Sequence, residues 1–298
     1  MLQEKKLGEM RSSIVRCEDV RQYFQQYRFE HITNFEDIRG MLSSFCANGH
    51  GKQLEEYLQS SALKDDNDDT SKVYLIINNQ REVVAYFAIR CGLLFEPLNY
   101  EKLNDNDKEI VDMFMDAMRK KDFKLLEEYM ESGLVPDDKI EKFKKMAQTQ
   151  IDIIEEQNRL KDDSFRVSIS HPAIELIQFC RNSAVQLHDS SIDGMQDIPI
   201  GMGLFWEIVV PIVCNITKDV GCEYLYLFAA DNTNGEPSLE KRNLVQYYRT
   251  NLKFDYASGL FFVKPTYDYN CLPMYQHISN LRENYEGIWE EFLGEISE

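Results

Sequence analysis

The segment IPIGMGLFWEIVVPIV, residues 198–213, sets two glycines, Gly201 and Gly203, at the mouth of a long apolar run. Phe205, Ile208, Val209, Ile212, Val213, Ile216 and Val220 then recur at helical spacing, whereas two-residue alternation fails because 208–213 is apolar throughout. A Gly-x-Gly opening a helix offers free N–H groups and the positive end of the helix dipole, with no side chains to hold a phosphate away. The chemistry this spacing points to is anion binding. Pro211 inside the run predicts a kink at a cost of roughly 3 kcal/mol, and Gly221 is placed to cap the helix. A dinucleotide-binding turn would want glycine or alanine where Trp206 stands, and a Walker lysine is absent.

Other chemistries find less support. There is no H-E-x-x-H or similar ligand spacing, so no metal is expected, and no G-x-S-x-G nucleophile turn. The acidic run DDNDD at 65–69 fails as a calcium loop: Thr70 stands where its glycine belongs and Ile76 where its bidentate glutamate belongs, which leaves a solvated turn. His171, beside Pro172, reads as a turn or surface histidine, and His188 lies in a polar loop. Seven cysteines, at 17, 46, 91, 180, 214, 222 and 271, form no C-x-x-C pair, and none has local support as a nucleophile.

The elements that would position these residues follow from pattern. Residues 1–70 read mainly as helix, with Phe35, Ile38, Met41, Leu42 and Phe45 on one face. SKVYLIINNQ and EVVAYFAIRCGLLF form a hairpin across 71–99. Residues 100–162 are amphipathic helices, with Asp105 or Asn106 as an N-cap, Gly133 as a C-cap and Pro136 near the start of the last helix. From 163 to 298 the strand signal returns in FRVSISHPAIELIQFCRN, followed by the glycine-led helix, the strand CEYLYLFAAD, a helix in PSLEKRNLVQYYRTNL, and strands in the tail. The order is that of a mixed α/β sheet.

With 33 basic against 51 acidic residues the formal charge is −18, which argues against a phosphate-backbone binder and suits a cationic substrate or basic partner. The start of the chain lacks an apolar signal core and no run reaches 18 apolar residues, so a reduced cytoplasm is the expected compartment and no membrane partner is expected.

From 72 to about 265 the chain resembles the GNAT acetyltransferase family, as a divergent member with a helical insertion. AIELIQF resembles the family's fourth strand, IPIGMG its acetyl-CoA pyrophosphate loop R/Q-x-x-G-x-G/A, CEYLYLFAAD its fifth strand, and LVQYYRTNLKF its A-x-x-L-Y-x-x-x-G-F segment, in the family's order. The resemblance implies a GNAT-like mixed, mostly antiparallel sheet flanked by helices, with an all-helical insertion between the third and fourth strands. It also implies splayed fourth and fifth strands, acetyl-CoA as co-substrate, and direct attack of an amine on the thioester in a ternary complex. By position the pantetheine arm would bond the backbone of Phe179, Cys180 and Arg181, and the phosphates would meet Ile200, Gly201, Met202, Gly203 and Leu204. Glu175, mid-strand between Ile174 and Leu176, is the candidate base, and Tyr248, in preference to Tyr247, the candidate acid for the departing thiolate.

Four departures bear on activity. Ile198 occupies the Arg/Gln place of the loop, with Gln196 and Arg181 as potential replacements. The connection into the loop is long, Lys253 replaces the glycine before Phe254, and one extra residue separates Tyr248 from that phenylalanine. The alternative to an acyltransferase is a catalytically inactive GNAT-fold protein acting in assembly or partner binding through its helical insertion; a third reading is a different α/β nucleotide-binding domain. The expected partners are a small-molecule or protein amine and a second copy of the chain bound through the insertion, with no nucleic acid.

Overall fold

Strands that are apolar on both sides must be covered on both faces. Residues 72–77 meet that condition: Tyr74 and Ile76 enter one hydrophobic core, and Val73, Leu75 and Ile77 enter another. In this computed structural model, which describes residues 15–96, 103–133, 135–157, 169–186, 194–230, 239–257, 260 and 271–297, they form one strand of a seven-stranded sheet.

The strands are β1 (Arg28–His31), β2 (Lys72–Ile77), β3 (Val83–Glu96), β4 (Ile169–Arg181), β5 (Tyr224–Ala229), β6 (Asp255–Tyr256) and β7 (Leu272–His277), in the spatial order β1-β2-β3-β4-β5-β7-β6. The pairs β1–β2, β2–β3, β5–β7 and β6–β7 are antiparallel, and β4–β5 is parallel. This is the expected GNAT-like class, a mixed and mostly antiparallel sheet flanked by helices, with a helical insertion between the third and fourth strands. On one face lie α2 (Ile38–Leu42), α3 (Lys52–Ser60) and α4 (Ala62–Asn67), through Ile38, Leu42, Leu58 and Ala62. The other face carries α1 (Cys17–Gln25), the glycine-led helix and α11 (Ile278–Ser297), through Phe24, Phe205, Trp206 and Trp289.

The chain divides into two units. The sheet and these helices fall in residues 1–93, 172–257 and 263–298; the second unit is 94–171 with 258–262. It holds α5 (Asp105–Lys120), α6 (Phe123–Glu131) and α7 (Asp137–Gln157), whose own core includes Val111, Phe114, Leu126, Phe143 and Met146. The first of these helices is capped by Asn104, not Asp105 or Asn106: Asn104 is extended and its side chain accepts from the Asp107 N–H at 2.9 Å, while the next two residues are already helical. Gly133, at φ +71°, ends α6 as a left-handed residue, as expected.

Among the described residues up to 70, helix predominates and Arg28–His31 adds an edge strand; Phe29 is 48% exposed there and the pairing with β2 defines it. The DDNDD run is not simply a solvated turn, because Asp66 is buried and accepts the Val73 N–H at 2.7 Å, tying α4 to β2. The tail supplies strands β6 and β7 and then forms the 20-residue α11, in which Ile278, Leu281, Ile288 and Trp289 enter the core together.

The glycine-led helix runs from Ile200 to Asp219. Its first segment, α8 (Ile200–Leu204), passes through a π turn (Phe205–Val209) into α9 (Val210–Asp219). The π turn is the form the expected kink takes. Pro211 has no N–H to give the carbonyl four residues back, and the wide turn absorbs that defect by bonding Val210 N–H to Phe205 O. Although long and apolar enough to cross a membrane, the helix is packed in the protein core. Gly221 does not cap it: the helix ends because Val220 turns extended, at φ −123° and ψ 124°.

One carboxylate is buried inside the π turn. Glu207 accepts the Trp289 indole N–H at 2.6 Å and lies 3.9 Å from Arg21 Nε, while Arg21 donates to the Tyr285 and Glu286 carbonyls of α11. Burial pushes the Glu207 carboxyl up, against the opposing Trp289 bond and Arg21 charge. A folded value above the unfolded one, about 4.3, means a stabilising contribution present below that pH and lost as pH rises through the folded value. Glu207→Gln keeps an acceptor for Trp289 and removes the titration. Urea unfolding from pH 4 to 8 is expected to show the variant gaining on the wild type as pH rises; a difference independent of pH would refute this.

Candidate active site

The site begins where two strands part. β4 and β5 pair in register at Ala173↔Tyr224, Ile174↔Leu225 and Glu175↔Tyr226, and the pairing stops there although β4 continues to Arg181 and β5 to Ala229. The two strands therefore splay, as the resemblance implied. Beyond the fork, the side-chain alternation of β4 slips by one: Leu176 and Phe179 enter one core, Ile177 and Cys180 the other. This is the footprint of a bulge, which turns a strand and frees its backbone.

At the vertex a charged group bridges three strands. Glu175, 4% exposed, accepts from Arg90 Nε of β3 at 2.8 Å and from the Tyr226 hydroxyl of β5 at 3.0 Å, both on Oε2. The Tyr226 ring end lies against Gly92, where an added Cβ would overlap it. Burial, reinforced by the Glu175 charge, pushes the Tyr226 hydroxyl well up, so it stays a donor. Arg90 and Tyr226 escaped the sequence reading. Arg90 left a signal, as the lone charge in VVAYFAIRCGLLF, but the tyrosine left none.

The far end of β4 is held from the other side. Asn182, 1% exposed, donates from Nδ2 to Val83 O and from its backbone to Val84 O, both at 2.8 Å, and its Oδ1 accepts the Cys46 N–H at 3.1 Å. Ser183 bonds Cys46 O through both backbone and hydroxyl. The loop after α2 is thereby fixed to the strand end that carries Phe179, Cys180 and Arg181. Phe179 packs on Phe205, ring centroids 6.3 Å apart. Cys180 is buried and its thiol is pushed up to about 12 by burial. Arg181 is exposed.

The glycine-led helix opens at Ile200 after the extended Pro199. Gly201 and Gly203 therefore sit within its first turn, not before it, and they serve different ends. A Cβ on Gly203 would overlap the Phe24 ring, so that glycine allows α1 to pack closely. Its N–H is already bonded to Pro199 O at 3.1 Å. Ile200, Gly201 and Met202 supply the N–H groups that have no acceptor within the helix, and no other partner is found for them among the described residues. Leu204 lies past that turn, and the side chains of Ile200, Met202 and Leu204 are buried, so only backbone faces a ligand. Ile198 is 1% exposed and turned into the core. Gln196 and Arg181 are both exposed.

α10 (Leu239–Thr250) carries the two tyrosines. Tyr248 packs toward Phe254, at 6.3 Å between centroids. Tyr247 instead brings its hydroxyl 2.7 Å from where a Cβ of Gly201 would stand. Lys253, in the place of the family's glycine, keeps a glycine conformation, φ +58°, and its ammonium pairs with Glu291 at 2.7 Å. His171 is the third residue of β4, in a strand and not a turn; His188 lies outside the described residues. Among the described residues no group of three or more His, Cys, Asp or Glu is placed to hold a metal ion.

No family model and no curated protein matches the chain. Among solved structures it is similar to a point mutant of the AtaT toxin bound to the C-terminus of the antitoxin AtaR and acetyl-CoA, at 10% identity and a TM-score of 0.44, over 87% of this chain and 98% of that one. It is also similar to AtaT complexed with acetyl-methionyl-tRNAfMet, at 11% identity and 0.41, over 87% and 99%. A third is the KacTA–DNA complex, at 11% and 0.44, over 88% and 99%. At these scores the likenesses identify no activity or acceptor, and the fold rests on the strand order and pairing above. They do correct one expectation, that nucleic acid is excluded as a partner: proteins of similar structure were solved with tRNA and with DNA. The physical error was to use net charge, which sums the whole chain, where recognition depends on local surface.

Two predictions follow from this geometry. At pH 8 a maleimide is expected to label the exposed Cys46 and Cys91 in the folded protein and to reach Cys180 only after denaturation; equal labelling rates by peptide mapping would count against the burial of Cys180. A left-handed non-glycine residue costs about 1–2 kcal/mol. Lys253→Gly should therefore leave urea stability within about 1 kcal/mol of wild type or raise it, while the β-branched Lys253→Val should lower it by more than that.

Proposed function

We propose that this chain belongs to the GNAT superfamily and is an acetyl-CoA-dependent N-acyltransferase, acting on an amine by direct attack in a ternary complex. The observation that carries this reading is the fork: β4–β5 pairing ends at Glu175↔Tyr226 while both strands continue, and a helix with three free N–H groups follows β4. Such a fork leaves the backbone of Phe179–Arg181 open on the β5 side for the amides of a pantetheine arm. The first turn at Ile200–Met202 would take the phosphates.

The co-substrate supplies a thioester as the electrophile. Glu175, at the vertex, removes the amine proton, and Arg90 and Tyr226 hold its carboxylate on one oxygen so that the other faces the acceptor. The amine nitrogen bonds to the acyl carbon, the carbon–sulfur bond breaks, and Tyr248 gives its proton to the leaving thiolate. Net acidity suits a cationic acceptor.

A second reading is favoured by one observation. Ile198 is buried where the family places a phosphate-binding side chain, which fits a protein that has lost its cofactor and acts in assembly. Calorimetric titration separates the two. Micromolar binding of acetyl-CoA and CoA but not ATP is the expected outcome; no binding would select the inactive reading, and preference for ATP would select another nucleotide-binding function. In an amine screen, Glu175→Gln should lower kcat by about a hundred-fold or more, and activity retained within a few-fold would remove Glu175 from the base role.

A further inference from the structure

The mouth of the glycine-led helix holds a feature that neither the fold nor the family pattern requires. The Tyr247 hydroxyl, on α10, rests against Gly201 in the first turn, 2.7 Å from where a Cβ would be. Among the described residues it has no hydrogen-bond partner, although its neighbours Trp206 and Asn251 are bonded: Trp206 Nε1 donates to Asn251 O at 2.8 Å, and the Asn251 N–H to Tyr247 O at 2.9 Å. Burial, with Tyr248 adding to it, pushes the Tyr247 hydroxyl well above its ordinary value, so it remains a proton donor at any physiological pH. Here it stands beside three more donors, the free N–H groups of Ile200, Gly201 and Met202 at the end of a 20-residue helix.

Donors gathered at one helix mouth suit an anionic oxygen. The position at which the family supplies a side-chain donor is filled by Ile198, whose side chain faces the core at 1% exposure. We infer that Tyr247 replaces it: its hydroxyl, admitted by the absent side chain of Gly201, donates to a phosphate of the bound CoA. Tyr247 is then a binding residue and Tyr248 keeps the proton-donor role. Gly201 is retained for this contact, whereas Gly203 is retained for packing on Phe24.

The inference rests on the acyltransferase reading, and the experiment keeps the two apart. CoA affinity is measured by calorimetry for wild type, Tyr247→Phe, Tyr248→Phe and Gly201→Ala, and turnover is measured with acetyl-CoA and with S-acetyl-pantetheine, which lacks the phosphates. Tyr247→Phe removes an oxygen that has no partner among the described residues, so its thermal unfolding should match wild type. Tyr247→Phe should weaken CoA binding about ten- to a hundred-fold, the range for a hydrogen bond to a charged group, and leave S-acetyl-pantetheine turnover unchanged. Gly201→Ala, which displaces the hydroxyl, should weaken CoA binding similarly, and Tyr248→Phe should lower kcat while leaving CoA affinity intact. CoA affinity of Tyr247→Phe within two-fold of wild type would overturn the inference while leaving the acyltransferase reading standing. An equal loss with S-acetyl-pantetheine would overturn it too, because the contact would then lie on the arm or at sulfur. Failure of the wild type itself to bind CoA would overturn both.

Discussion

Backbone N–H and C=O groups need partners or water, and a strand that parts from its neighbour leaves a row of them open. The parting of β4 from β5 after Glu175 is the constraint around which this protein is arranged. On one side β4 stays tied to the start of β3 and to the loop after α2 through Asn182 and Ser183, so its far end is held although β5 has left. β5 completes its own hydrogen bonding along β7, from Tyr224↔His277 to Ala229↔Leu272. The vertex is held by a side-chain bridge across β3, β4 and β5. A cleft made this way is lined by main chain, and main-chain donors and acceptors do not depend on residue identity.

Local rules are broken in a small region near this constraint. Lys253 adopts a conformation suited to glycine, Glu207 is buried with one oxygen unpartnered among the described residues, and the helix carrying Glu207 contains a π turn. Each departure is held by long-range contacts: Lys253 by Glu291 and by Gln276, which donates to its carbonyl, and Glu207 by Trp289 and Arg21. All of these partners lie on α1, β7 or α11. The elements outside the cleft thus stabilise backbone and charge placements that local propensity disfavours.

Periodicity made the middle of the fold legible. The hairpin of β2 and β3, the apolar β4 and β5, and the helix at 200–219 each carry enough residues for their period to show. β1 was hidden because four residues, Arg28–His31, are too few to establish alternation, and two of them are charged. α11 was hidden because ISNLRENYEGIWEEFLGEIS mixes aromatics with two glycines, and its helical state depends on core contacts made far along the chain. In the site, Glu175 was visible as a lone acid in an apolar strand, but its partners Arg90 and Tyr226 come from other strands. The two glycines looked equivalent in sequence. Only the positions of Phe24 and Tyr247, on separate helices, distinguish a packing glycine from one that admits a hydroxyl.

The π turn has a consequence for tracing descent. It holds one residue more than an α turn, within an unbroken buried run from Met202 to Val210. Beyond Val209 every side chain is rotated by about 100° relative to a regular helix counted from the same glycines. An ungapped alignment with a chain whose helix lacks the turn would match the mouth correctly and then pair core residues with surface residues to the end of the helix. A one-residue gap at 205–209 would restore the match.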